Sequence, residues 1–149
     1  MSKGYVGAYI GIDVAGEAMK EMQKKYGGGR IQYEVGDAYE LKFEDNVFDY
    51  CVLGEVLEHC HVPGLAIQEA LRVLRPGGTL AISVPNNEAI EPGAVDGARH
   101  VFSYQLQDFK DLSAGLGRVV GHKVLGSKWF PRYVYCFKQL IVFIKKYGV

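Results

Sequence analysis

Two aspartates stand where short apolar runs give way to polar sequence: Asp13 after Tyr9-Ile10-Gly11-Ile12, and Asp37 after Ile31–Val35 and Gly36. A carboxylate at a strand tip can accept hydrogen bonds from both hydroxyls of a ribose. One that precedes a helix also interacts favourably with the helix dipole, and Asp13 admits both readings. Asp37 followed by Ala38 can read a purine edge: the carboxylate accepts from an amino group while the next backbone N–H donates to a ring nitrogen. A plain turn aspartate is the competing reading. At the ends of neighbouring parallel strands the two would point into one crevice.

A third polar cluster is Gly54-Glu55-Val56-Leu57-Glu58-His59-Cys60-His61, directly after Leu53. Gly54 allows close approach of backbone to a ligand. His59 or His61, titrating near neutrality, could take a proton; a helix-start and packing role is the alternative. Glu58, His59, Cys60 and His61 are all zinc-ligand types. Sequential neighbours rarely converge, however, and no second ligand pair stands at metal spacing, so no metal is expected. His100 could cover a pocket, accept a proton or anchor its loop. Trp129, Phe130, Tyr133 and Tyr135 could line a substrate wall or close a small core. Cys51, within an apolar run, reads as an inert filler.

The elements that would position these groups alternate. Tyr5–Ile12 reads as a strand. From Ala15 the period changes, with Ala15, Ala18, Met19, Met22 and Tyr26 on one helical side and Glu21–Lys25 paired on the wet side. Gly27-Gly28-Gly29 ends that helix. Ile31–Val35 and Phe48–Leu53 read as strands, the second after an Asp45-Asn46 turn. A helix follows over Pro63–Leu74, with Ile67, Ala70, Leu71 and Leu74 as its apolar stripe. Arg75-Pro76-Gly77-Gly78 stops it, and Thr79–Val84 is the next strand, opening onto Pro85-Asn86-Asn87-Glu88. After a long loop over 88–101, Ser103 can cap a helix with Leu106, Phe109 and Leu112 inward. Val119–Leu125 and Cys136–Lys145 close the chain as an antiparallel hairpin. The expectation is an α/β fold with a mostly parallel sheet and helices on its faces. In such sheets ligands sit beyond the carboxyl ends of the strands, where Asp13, Asp37, Gly54–His59 and Pro85–Glu88 fall.

A chain of 149 residues holds one ordinary domain. A 48% hydrophobic and 23% charged composition excludes a disordered polymer, and no apolar run approaches the roughly 20 residues that span a bilayer. Three cysteines without a CxxC pair point to the reducing cytoplasm. Net charge is zero, but residues 112–149 carry seven basic and no acidic side chains. A solvated basic face is the plain reading. An anion site or a contact with the acidic part are the others, and nucleic acid is not the expected partner.

Taken in order, Tyr9-Ile10-Gly11-Ile12-Asp13, Gly36-Asp37-Ala38, Phe48-Asp49-Tyr50, Val56-Leu57-Glu58-His59, Leu71-Arg72-Val73-Leu74-Arg75-Pro76-Gly77-Gly78-Thr79-Leu80 and His100-Val101-Phe102-Ser103 resemble the class I S-adenosylmethionine-dependent methyltransferases. The resemblance runs over about residues 5–145. It implies a Rossmann-like methyltransferase fold, S-adenosylmethionine as cofactor and a small-molecule acceptor. It implies that Asp13 holds the ribose, that Asp37 and the Ala38 backbone face the adenine, and that the backbone around Leu53 and Gly54 lies near the methionine part. Glu58, His59 and His100 fall on the substrate side, His59 as the candidate base. Pro76-Gly77-Gly78 is structural in this pattern.

The chain departs from the family in one respect. Only twelve residues precede Asp13, where the family has a strand, a glycine-rich loop and a helix. The expectation is therefore a single methyltransferase-like domain over 1–149, truncated at its N-terminus. Its sheet would lack a central strand between those ending at Asp13 and Leu53, leaving two edges to close on each other or to be paired by a second copy or a partner chain. A catalytically inactive, methyltransferase-like interaction module is the alternative to an active enzyme.

Overall fold

The computed structural model describes residues 7–85, 105–125 and 139–147. The expectations placed on Asn86–Glu88, the loop 88–101 with His100, Ser103, Trp129–Tyr135 and Cys136 fall outside them. The chain divides into two compact units, residues 1–42 and 43–149.

The first unit is a strand–helix–strand crossover. β1 (Tyr9–Asp13) and β2 (Ile31–Val35) pair in parallel, from Tyr9 opposite Ile31 to Asp13 opposite Val35, and α1 (Gly16–Tyr26) connects them. Glu17 in the first turn of α1 and Lys24 and Lys25 in the last complement its dipole. The Gly27 amide bonds the Gln23 carbonyl, and the chain then turns through Gly28 and Gly29 with positive φ. The Gln23 side chain accepts the Tyr33 amide at 2.8 Å, tying the end of α1 to β2. The expected Glu21–Lys25 pair does not form. Glu17 pairs with Lys20 instead, and the Lys25 ammonium lies over the Tyr26 ring. Ala15 and Ala18 are exposed, and Met19 and Met22 are only half-buried. The expected inward stripe is therefore partly covered, because two five-residue strands offer little surface to a helix.

The second unit contains β3 (Phe48–Gly54), a 3-10 turn at Leu57–His59, α2 (Pro63–Val73), β4 (Leu74–Pro85), α3 (Leu106–Leu112), β5 (Gly117–Leu125) and β6 (Gln139–Lys146). Its sheet order is β3-β4-β6-β5, with β3 and β4 parallel and the β4–β6 and β5–β6 ladders antiparallel. The C-terminal hairpin is thus antiparallel as expected, with β6 as the strand beside β4. Pro63 occupies the first turn of α2, where a missing N–H costs nothing. Ala66, Ile67, Ala70 and Leu71 make its buried face, and Leu80, Ile82 and Val84 alternate along β4 into the same core with Phe109 and Ile144. Each large side chain enclosed this way contributes about 1.5–3 kcal/mol relative to exposure.

Two boundaries differ from expectation. β4 begins at Leu74 rather than Thr79: Leu74 pairs with Phe48, and the register then slips so that Tyr50 faces Thr79. The intervening residues turn through Gly77, at φ 77°. A Cβ on Gly78 would come within 2.9 Å of the Arg75 carbonyl oxygen and 3.2 Å of that of Asp49. The cap of α3 is Gln105, which exchanges hydrogen bonds with Asp108 and its amide in a capping box.

Two cations fasten the base of this unit. Arg72 bonds Glu69, Asp45 and the Phe43 carbonyl, and these carboxylates raise its pKa further above the usual range. Lys146 donates to Asn46 and to the Leu74 carbonyl past the end of α2, so one residue of the basic tail serves the fold. Among the described residues β1 pairs only with β2, and β3 only with β4. Among the described residues the two strands belong to separate sheets.

Candidate functional site

In the first unit Asp13 ends β1, and Asp37 lies two residues past the end of its parallel neighbour β2. The Asp13 carbonyl accepts the Gly36 amide at 3.1 Å, so the ladder runs to the residue before Asp37. Gly36 is glycine for space: a Cβ there would meet the Ile12 side chain. Each carboxylate closes a local turn through one oxygen. Asp13 Oδ1 accepts the Ala15 amide at 2.8 Å, and Asp37 Oδ1 accepts the Tyr39 amide at 2.8 Å. Both residues are exposed, and Ala38 is half-buried. A local role and a ligand role are compatible at each aspartate, since the turn engages one carboxylate oxygen and not the other.

In the second unit, β3 ends in Gly54. The Glu55 amide donates to the Ser83 carbonyl at 3.0 Å, continuing the parallel ladder. Peptide groups alternate in direction along a strand, so those of Gly54 and Val52 face away from β4. The Leu53 side chain is in the core, leaving only its main chain to serve a ligand. A Cβ on Gly54 would find Ser83 Oγ at 3.7 Å, an ordinary contact. The fold itself does not require glycine at this position.

Glu55 and Ser83 form a pair that sequence reasoning passed over. Glu55 holds φ 54°, rare for a residue with a side chain, and its carboxylate accepts the Ser83 hydroxyl at 2.9 Å. Such strain clusters at functional sites. The only sequence signal was a carboxylate directly after Gly54 at the end of a strand.

The 3-10 turn separates its neighbours by burial. Glu58 is 1% exposed and Cys60 is buried, while His59 and His61 are exposed. Burial thus divides these four residues, and among the described residues no three His, Cys, Asp or Glu stand together as a metal site. Burial pushes the Cys51 thiol up to about 11, against a hydrogen bond from the Val52 backbone, so it is not a ready thiolate. Among the described residues no helix is long and apolar enough to cross a membrane.

Residues 1–82 match the methyltransferase domain family, and the chain belongs to that family. The cofactor this membership implies is S-adenosylmethionine. Demethylmenaquinone methyltransferase of Staphylococcus carnosus is 32% identical over 112 residues, which are 74% of this chain and 46% of that protein. The O-methyltransferase resE of Aspergillus sclerotiorum is 36% identical over 91 residues, 54% of this chain and 34% of its own length. The chain thus spans less than half the length of these relatives. Among solved structures, the methyltransferase bound to the Trm112 activator of Haloferax volcanii superposes with a TM-score of 0.81 at 15% identity, over 95% of this chain and 73% of that one. That likeness establishes the Rossmann-like methyltransferase fold.

The residues present suit the cofactor. Asp13 and Asp37 are exposed near the carboxyl end of a parallel ladder and each keeps one carboxylate oxygen that its turn does not engage, and Gly54 presents bare backbone where the packing would admit a side chain.

Proposed function

We propose that this chain is an S-adenosylmethionine-dependent methyltransferase domain acting on a small molecule, its two units working as one domain in the cytoplasm. The observation that carries the reading is the pair of exposed carboxylates, Asp13 at the end of β1 and Asp37 two residues past the end of the parallel β2, in a chain of this family. Asp13 binds the ribose hydroxyls and Asp37, with the Ala38 amide, the adenine edge. The main chain at Leu53 and Gly54 lies along the methionine part. When bound, S-adenosylmethionine supplies an electrophilic methyl group on a sulfonium, which an acceptor oxygen, nitrogen or carbon takes in one displacement.

On the acceptor side, Glu58 shapes the site from its buried position, while His59 takes the acceptor's proton where the nucleophile carries one. The chain's work is alignment and exclusion of water, which can account for much of the acceleration. The quinone-type acceptor in the name of the S. carnosus relative favours a small apolar substrate.

The β3 edge, which among the described residues pairs with no strand but β4, supports a further element: a second copy or a partner chain completes the sheet, and the H. volcanii neighbour is itself in complex with an activator protein. That same edge also favours a second reading, a methyltransferase-like interaction module without catalysis. Incubation with methyl-labelled S-adenosylmethionine and a panel of quinols, phenols and amines separates the two. Label transferred to an acceptor and lost in His59→Ala supports the enzyme with His59 as base. Folded protein that transfers no label and binds no cofactor supports the module.

A further inference from the structure

At the end of β3 two residues stand in the reverse of the order that the backbone asks for. Gly54 has no steric need to be glycine, because an added Cβ would meet only Ser83 Oγ at 3.7 Å and Val52 Cγ1 at 4.0 Å. Glu55, next to it, holds φ 54°, where glycine is the residue without a steric cost. A chain shaped by folding alone would carry the glycine one position later. One residue of β4 holds Glu55 at two points. The Ser83 carbonyl accepts the Glu55 amide at 3.0 Å, and the Ser83 hydroxyl donates to Glu55 Oε1 at 2.9 Å. Asp45, Asp49 and Glu69 meet arginines, whereas Glu55 meets a neutral hydroxyl, which orients the carboxylate without cancelling its charge. Glu55 is half-buried beside an exposed Gly54.

We infer that Glu55, oriented by Ser83, is the counter-charge for the α-ammonium group of the cofactor's methionine part. This rests on the reading above that the main chain at Leu53 and Gly54 lies along that part of the cofactor. S-adenosylmethionine brings two cations there, the ammonium and the sulfonium, and chemistry favours the first. A carboxylate set against the sulfonium would stabilise the donor most before transfer, since the positive charge is lost as the methyl group leaves. That raises the barrier. Such a carboxylate would also be a rival acceptor, taking the methyl group as an ester. The ammonium keeps its charge throughout, so a carboxylate on it tightens binding and leaves the transfer step alone. The Ser83 bond suits that role, because it restrains the side chain before a ligand arrives.

The test is a binding cycle by calorimetry on the wild type, Glu55→Gln and Glu55→Gly. The ligands are S-adenosylhomocysteine and its counterpart with hydrogen in place of the α-amino group. Neither carries the sulfonium, so the ammonium is read alone. Glutamine can still accept the Ser83 hydroxyl through its carbonyl and removes only the charge. Glycine relieves the positive φ, so Glu55→Gly should melt at or above the wild-type temperature. The wild type should prefer S-adenosylhomocysteine by roughly 10- to 100-fold. In both variants that preference should fall by roughly tenfold or more, with the deaminated ligand bound as by the wild type. If Glu55→Gln fails to fold, Glu55→Gly decides. A wild type without the preference, a folded variant that keeps it, or equal weakening of both ligands overturns the inference. Binding of either ligand by the wild type upholds the cofactor site whatever the variants do, so the inference can fail alone. A folded wild type that binds neither ligand overturns the functional reading and this inference with it.

Discussion

Asp13 ends β1 and Asp37 follows the parallel neighbour β2 by two residues, the Gly36 amide between them donating to the Asp13 carbonyl at 3.1 Å, and each aspartate spends one carboxylate oxygen on the amide two residues further on. The remaining oxygens share one end of the β1–β2 ladder. A pair of turns that serve only folding would need no such neighbourhood.

Asp13→Asn isolates the outward oxygen. The asparagine carbonyl can still accept the Ala15 amide and keep the turn, while its amide group presents a donor where a ribose needs an acceptor. Loss of a hydrogen bond to a charged group is worth about 1.5–3 kcal/mol. S-adenosylhomocysteine should therefore bind about 10- to 100-fold more weakly by fluorescence titration, with the unfolding midpoint unchanged. Unchanged affinity would remove Asp13 from the cofactor site.

Gly54→Ala should fold like the wild type, since the added Cβ meets only Ser83 Oγ at 3.7 Å and Val52 Cγ1 at 4.0 Å. Its cofactor affinity should nevertheless fall at least tenfold, because the methyl group occupies the path assigned to the methionine part. Thermal melts with and without S-adenosylhomocysteine check both halves of the prediction.

Gly78→Ala should show the reverse pattern. Its Cβ would crowd two backbone carbonyls, which cannot swing aside as a side chain can. Overpacking of this kind costs about 1–3 kcal/mol. Urea denaturation should show a lower midpoint, with cofactor affinity per folded molecule retained.

Cys51 makes a pH prediction. Its folded pKa is raised from 9.0 to about 11 by burial, so the folded state holds the thiol proton more tightly than the unfolded chain. The stabilisation is complete below pH 9 and is lost as pH rises towards 11. Lysines and tyrosines titrate in the same window, so the measured quantity is the difference between wild type and Cys51→Ala. The stability difference should shift in favour of the variant between pH 9 and 11. A difference independent of pH would contradict the assignment.

Much of the second unit was legible because its signals are local and agree. Ile67, Ala70, Leu71 and Leu74 carry helical spacing and are all buried, and Pro76-Gly77-Gly78 forms the turn its residues demand. The strand tips at Asp13 and Asp37 were legible for the same reason, as apolar runs broken by a carboxylate. What escaped was a choice among partners, local on α1 and at the cap of α3 and tertiary at β4. Lys20 rather than Lys25 pairs on α1, the cap of α3 is Gln105, and β4 starts five residues early because Leu74 finds Phe48 across the sheet. Glu55 escaped because a positive φ at a carboxylate leaves no periodicity to read. Residue type alone could not separate a ligand role from the helix dipole at Asp13 or from a turn at Asp37, and the hydrogen bonds show that one oxygen of each serves a turn.

Calorimetric titration of the folded chain with S-adenosylhomocysteine, beside the Asp13→Asn/Asp37→Asn double variant, tests the cofactor site most directly. A saturable heat at one site per chain for the wild type, lost in an equally folded double variant, is the predicted result. No heat from folded wild type, or equal heat from the variant, would contradict it.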